Sequence, residues 1–104
     1  MTDFINYDGK KYPIKVSFVA LNSFEKETGK TLSEVGEALE PHTIILWHAL
    51  KAGHRLAGEE VTLTRDDMEW VLDESLAEYQ KIFMDSMVKI SDALSGKKVE
   101  TKKK

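Results

Sequence analysis

The sequence predicts an α+β fold, mostly α, in which an N-terminal β-hairpin is followed by four to five helices. Three observations carry this expectation. Asp8-Gly9 lies between two short strand-like segments, and Thr31-Leu32-Ser33-Glu34, Thr64-Arg65-Asp66-Asp67 and Ser75-Leu76-Ala77-Glu78 each have the form of a helix-starting capping box. The apolar residues that follow recur at helical spacing. A chain of 104 residues, 41% hydrophobic and 32% charged, suffices for one modest core and has no room for a second. Residues 1–95 read as a single domain and 96–104 as a disordered lysine-rich tail.

The hairpin follows from turn chemistry. A two-residue type I′ turn needs positive φ at both central positions, which Asp8 and Gly9 supply more readily than most residues. Pairing Tyr7 with Lys10 then sets Ile5 opposite Tyr12 and Asp3 opposite Ile14, so Ile5, Tyr7, Tyr12, Ile14 and Val16 share the face that meets the helices. Pro13 lacks a ladder donor and confines its strand to an edge or a free donor side, with Phe4 opposite it on the outer face.

Ser17 is the expected N-cap of a first helix carrying Phe18, Leu21 and Phe24, ending near Thr28 with Gly29 as the left-handed residue. The Thr31 box predicts a short second helix with Leu32, Val35 and Leu39 on its apolar side. Pro41 suits the first position of a third helix, apolar around most of its circumference from Thr43 to Ala52, with Gly53 and Gly58 bracketing its exit. A fourth helix starts at the Thr64 box, with Leu63 and Met68 as a hydrophobic staple. The Ser75 box predicts a bend near Asp73-Glu74 and a fifth helix ended by Gly96, the rival reading being one continuous helix from Arg65 to Leu94.

Composition narrows the function classes. Without cysteine there is neither a disulfide framework nor a thiolate metal site, and the expected compartment is the cytosol. The first fifteen residues hold Asp3, Asp8 and three lysines, and the longest strongly apolar run is Ile44-Ile45-Leu46-Trp47, so neither an export signal nor a membrane span is predicted. The net charge of -3 conceals an asymmetry: five lysines and one glutamate fall in the last nine residues, leaving ten basic and seventeen acidic residues before them. Such a body repels duplex nucleic acid, and only the Lys97-Lys98 and Lys102 to Lys104 tail offers phosphate contacts.

The chain shows no catalytic constellation and reads as non-enzymatic, with no cofactor or metal expected. His42, His48 and His54 are six residues apart, so they point in different directions even on one helix, and they read as solvent-facing or structurally satisfied. Asp66-Asp67 is spoken for by capping, and Glu59-Glu60 follows a loop glycine. Thr28-Gly29-Lys30-Thr31 has the end of a phosphate-binding loop without its upstream glycine or strand, and reads better as a helix end followed by the next cap.

One surface asks for a partner. On the expected fifth helix Leu76, Tyr79, Phe83, Met87, Ile90 and Leu94 form one stripe, with Ala77, Met84 and Val88 to one side and Ile82 and Ala93 to the other. This arc of roughly 240° on a 100° projection exceeds one face of a small protein, so the helix is either wrapped by the others or sealed against another chain. Trp70, turned away from Met68 and Leu72, adds an exposed indole. The candidate partner-binding residues are therefore Trp70, Ile82, Met84, Met87 and Val88.

The hairpin with Gly9-Lys10-Lys11-Tyr12, the Phe18 to Leu21 turn, Phe24-Glu25-Lys26-Glu27-Thr28-Gly29-Lys30, the Leu46-Trp47-His48-Ala49-Leu50-Lys51 helix and the Leu63-Thr64 cap together resemble the tail assembly chaperones of long-tailed bacteriophages and their prophages. The likeness runs from about Tyr7 to Leu94. It implies a helical, non-enzymatic protein of the host bacterial cytoplasm that binds the tape-measure protein in many copies, recruits major tail-tube subunits and leaves the finished tail; the wide apolar arc and Trp70 predict tape-measure binding or self-association through the fifth helix. The alternative is a structural head-tail connector or tail-completion protein that stays in the virion. The resemblance also implies a longer product made by ribosomal slippage, for which the adenine-rich lysine codons within 96–104 are the expected place.

Overall fold

The computed structural model describes residues 3–36 and 38–95, so the tail expected over 96–104, with its slippage site, lies outside the described residues. Strands β1 (Asp3–Tyr7) and β2 (Lys10–Ile14) are followed by helices α1 (Phe18–Thr28), α2 (Glu40–Ala57) and α3 (Met68–Ser95). Two 3₁₀ turns, Leu32–Glu34 and Arg65–Asp67, lie between the helices. The class is the one expected, but among the described residues there are three α-helices rather than four or five.

The hairpin has the expected register, with Ile5 opposite Tyr12 and Asp3 opposite Ile14, and both turn residues take positive φ. Ile5, Tyr12, Ile14 and Val16 are buried and Tyr7 packs partly against them, while Phe4 stands half exposed on the outer face. Only one edge of β1 is paired, and α3 covers the other. The Ser75 hydroxyl donates to the Asn6 carbonyl, and the Glu78 carboxylate accepts the Asn6 backbone N–H at 3.0 Å and its side-chain amide at 2.7 Å. These donors, the backbone N–H first, hold the Glu78 carboxyl below its ordinary range. Glu74 similarly accepts the Asp8 N–H at 3.1 Å. Strand-edge groups that would otherwise be open to pairing are thus satisfied by carboxylates and a hydroxyl on one helix.

Helix α1 begins and ends as its sequence dictates: the Ser17 hydroxyl accepts the Ala20 N–H, and Gly29 closes the helix in the left-handed region. Its buried side is Ala20, Leu21 and Phe24, whereas Phe18, carried by the same helix, is 62% exposed. The expected second helix is also corrected. The Thr31 N–H is accepted by Glu34 at 2.9 Å, but Gly36 turns to φ +53 and ends the turn after Leu32–Glu34. Val35 is buried and Leu39 exposed, so the helical spacing of these residues does not correspond to a helix.

Helix α2 is the centre of the core, burying Ile45, Leu46, Ala49 and Leu50 along its length. It ends at Gly58, and Gly53 lies inside it, correcting the expectation that both bracket its exit. Its place is explained by contact: a Cβ on Gly53 would stand 2.4 Å from the Ile14 Cα. One turn earlier the Ala49 carbonyl accepts the Lys15 N–H at 2.9 Å, so helix and strand meet backbone to backbone.

The expected fourth and fifth helices are joined. After the Arg65–Asp67 turn, where Asp67 accepts the Thr64 N–H at 2.7 Å, α3 continues to Ser95 with a kink at Ser75. The expected bend is there: the non-helical φ -119 and ψ 26 at Ser75 divide α3 into two helical segments that run on as one element rather than as separate fourth and fifth helices. The Ser75 and Glu78 side chains that suggest a capping box are engaged with Asn6 across the structure instead. Of the expected staple, Met68 is buried in the core and Leu63 packs against it partly buried.

Candidate interaction surface

Helix α3 is not wrapped. Tyr79 is fully buried and Phe83, Met87 and Ile90 are half-buried, but Leu76, Met84, Val88 and Leu94 are exposed although all belong to the predicted arc. Trp70 is 66% exposed while Met68 and Leu72 beside it are buried, the orientation the helical projection gives. Two grooves flank this helix. The larger, about 990 Å³, lies between α3 and the start of α2, and Leu39, Leu76, Tyr79, Phe83 and Met84 give it its apolar lining. The smaller, about 520 Å³, lies between α3 and the hairpin and start of α1, with Phe4, Phe18 and Ile82 among Lys15, Lys81, Asp85 and Lys89.

The five residues singled out from sequence do not form one patch. Met84 lines the larger groove and Ile82 the smaller, roughly 160° apart around the helix. Met87 packs partly against the core between them, Val88 lies exposed one turn beyond Met84, and Trp70 sits before the kink and lines neither groove. Sequence reasoning missed Leu39 and Glu40 as groove walls, because a helix was expected where the chain turns at Gly36. It also missed the mixed-charge flank around Phe18. The charge pattern Glu69, Asp73, two like charges four apart beside the apolar arc, was the available signal for the larger groove.

At the floor of the larger groove His42 Nδ1 and Tyr79 Oη stand 2.8 Å apart, a hydrogen bond whose proton comes from either group according to the imidazole tautomer. The His42 ring meets Tyr79 and Phe83 edge-on, with centroids 5.5 and 5.0 Å away. Burial pushes the His42 pKa down, opposed by a hydrogen bond with the Gly36 backbone, and burial pushes the Tyr79 hydroxyl well up. Both groups are therefore neutral at pH 7, and the floor carries no charge of its own.

The other histidines have separate partners. His54 Nδ1 lies 2.8 Å from the Leu50 carbonyl inside α2, and its ring stacks on Tyr12. His48 Nε2 is 2.9 Å from Glu27, whose carboxylate also accepts both Arg65 Nη atoms at 2.5 and 2.7 Å. Both Glu27 oxygens are taken by this pairing and neither groove reaches it, so the trio acts as a tie between α1, α2 and the turn before α3. No group of three or more His, Cys, Asp or Glu placed to hold a metal ion occurs among the described residues. Nor, among them, is any helix long and apolar enough to cross a membrane.

The tie gives a pH prediction. Hydrogen bonds from Arg65 and then His48 lower the Glu27 pKa from 4.5 to about 2. A carboxylate depressed in the folded state adds stability that is complete above its unfolded pKa and lost as pH falls through the folded one. Glu27→Gln is therefore expected to flatten the decline in thermal midpoint between about pH 4.5 and pH 2. A decline identical in slope to that of the parent chain would remove Glu27 as its source.

Comparison with models of known protein families, with curated proteins and with solved structures gives no match.

Proposed function

We propose that this chain is a non-enzymatic tail assembly chaperone of the long-tailed-phage type, acting in the cytoplasm of the bacterial host. It holds the apolar helices of a tape-measure protein in solution, brings tail-tube subunits to them and leaves the finished tail. The observation that supports this reading is the open apolar surface along α3, where Leu39, Leu76, Phe83 and Met84 form a groove and Val88 extends it. A groove of this shape suits the apolar face of a helix, and methionine in its wall adapts to varied side chains.

Co-expression with the tape-measure protein tests it. The parent chain is expected to co-purify, and Met84→Glu with Val88→Glu to weaken capture at least tenfold while leaving the helical spectrum unchanged, since burying one such apolar side chain is worth about 1.5–3 kcal/mol. Trp70→Glu is expected to add to the loss if the partner continues past the kink. A chain that yields no complex, or whose complex ignores both substitutions, is not acting through this surface as a chaperone. Mass spectrometry of purified virions separates the connector reading: a chaperone is absent from the particle and a connector is present.

A further inference from the structure

We infer that the groove between α2 and α3 takes a cationic amphipathic helix from another protein, its apolar stripe seated on Leu39, Leu76 and Met84 and its lysines or arginines against Glu40, Glu69 and Asp73. The inference rests on the reading of this groove as the partner site and adds the chemistry of the occupant. Among the described residues lining the groove there is no lysine or arginine, and three carboxylates stand at its rim. None of the three has an ion pair or side-chain hydrogen bond among the described residues.

Other acidic side chains of the same helix and its neighbours are committed. Glu27 holds Arg65, Asp85 pairs with Lys81, Glu74 caps the Asp8 N–H and Glu78 caps Asn6. Glu69 and Asp73, by contrast, are like charges one turn apart on α3 with no cation between them. Their mutual repulsion is relieved by a ligand that brings positive charge beside its apolar face. From Glu69 to Met84 the wall runs roughly 22 Å, about four helical turns, so a helix of that length makes full contact.

Charge also decides against a second copy in this groove, because a copy docking through the same groove would bring its own acidic rim. The opposite flank is different: there Lys15, Lys81 and Lys89 alternate with Asp3 and Asp85 around Phe4 and Phe18. Of the two flanks, only the larger groove has charged side chains of a single sign in its lining, and that selects the sign of the partner.

Three synthetic 18-residue helices test the inference by calorimetry with the full chain: a leucine stripe flanked by lysines, the same stripe flanked by glutamates, and a lysine-rich helix without the stripe. The first is expected to bind, weakening as salt rises, with the other two at least tenfold weaker. Glu69→Lys with Asp73→Lys is expected to reverse the preference between the first two, and Glu40→Lys to reduce it, giving a second readout if the double variant does not fold. Equal binding of lysine- and glutamate-flanked helices, or an unchanged preference in both variants, overturns the inference. So does a self-associated chain that the lysine-flanked helix dissociates, which would put a second copy in the groove. Tenfold tighter binding after replacing Lys97, Lys98 and Lys102 to Lys104 with glutamine overturns it too, by placing the chain's own lysines there. Peptide binding without tape-measure capture would defeat the chaperone reading alone, whereas tape-measure capture that survives charge reversal would defeat this inference alone.

Discussion

Gly53→Ala is expected to lower stability by about 3 kcal/mol, because Gly53 is the one described glycine at which an added Cβ meets other atoms within 4 Å. The sign is what makes the experiment informative. In the interior of an exposed helix, replacing glycine with alanine stabilises by about 1 kcal/mol through helix propensity and the entropy of the unfolded chain. At Gly53 the new carbon would lie 2.4 Å from the Cα of Ile14 and 2.6 Å from its N and C atoms, which are backbone and cannot rotate aside. Relief requires α2 to lift off β2, and that lift also stretches the Lys15 to Ala49 hydrogen bond. For a domain of this size the thermal midpoint is expected to fall by about 15 °C. Gly58→Ala is the control: a Cβ there meets nothing within 4 Å, and only the left-handed backbone, φ +73, costs it about 1–2 kcal/mol. A Gly53→Ala chain as stable as its parent would show that helix and strand do not approach as closely as described.

The contrast between these glycines also shows what was legible in the sequence. Gly9, Gly29 and Gly58 announce themselves locally, each at a turn or helix end where positive φ is needed. The reason for Gly53 lies on Ile14, thirty-nine positions away, and no local pattern carries it. Ser75 and Glu78 are legible only in part: their spacing marks the bend, but the groups they satisfy belong to Asn6. Leu32, Val35 and Leu39 have helical spacing by coincidence, and Gly36 decides otherwise by leaving the right-handed region.

The surface was half legible for a related reason. Exposure of Trp70, Met84 and Val88 follows from helical projection once Met68, Leu72 and Tyr79 are placed inside. The groove itself needs a second wall, and Leu39, Glu40 and His42 reach it through a turn that sequence patterning reads as helix. The two grooves on opposite sides of α3 also separate Ile82 from Met84, residues that a single wide arc groups together.

Tyr79 joins this surface to the core, and two substitutions there are expected to separate the two roles. It is the largest of the fully buried side chains, stacked on Phe83 with its hydroxyl on His42. Tyr79→Ala is expected to cost about 3–5 kcal/mol, the range for emptying a buried aromatic site, because Tyr79 is buried in the core and packs on His42 of α2 and Phe83 of α3. Tyr79→Phe keeps the ring and removes only the oxygen, so about 1 kcal/mol is expected from the missing hydrogen bond. The imidazole reports on which has happened. Burial is what holds the His42 pKa below 6.5, so Tyr79→Ala, by opening the groove floor to water, is expected to let it rise towards that value. In Tyr79→Phe the ring still shields His42, and the pKa is expected to stay low. Proton resonances of His42 followed against pH, alongside urea unfolding of both variants, measure the two effects separately. If Tyr79→Phe costs as much as Tyr79→Ala, the hydrogen bond rather than the packed ring would be what holds the groove floor together, and the burial described for Tyr79 would not account for its contribution.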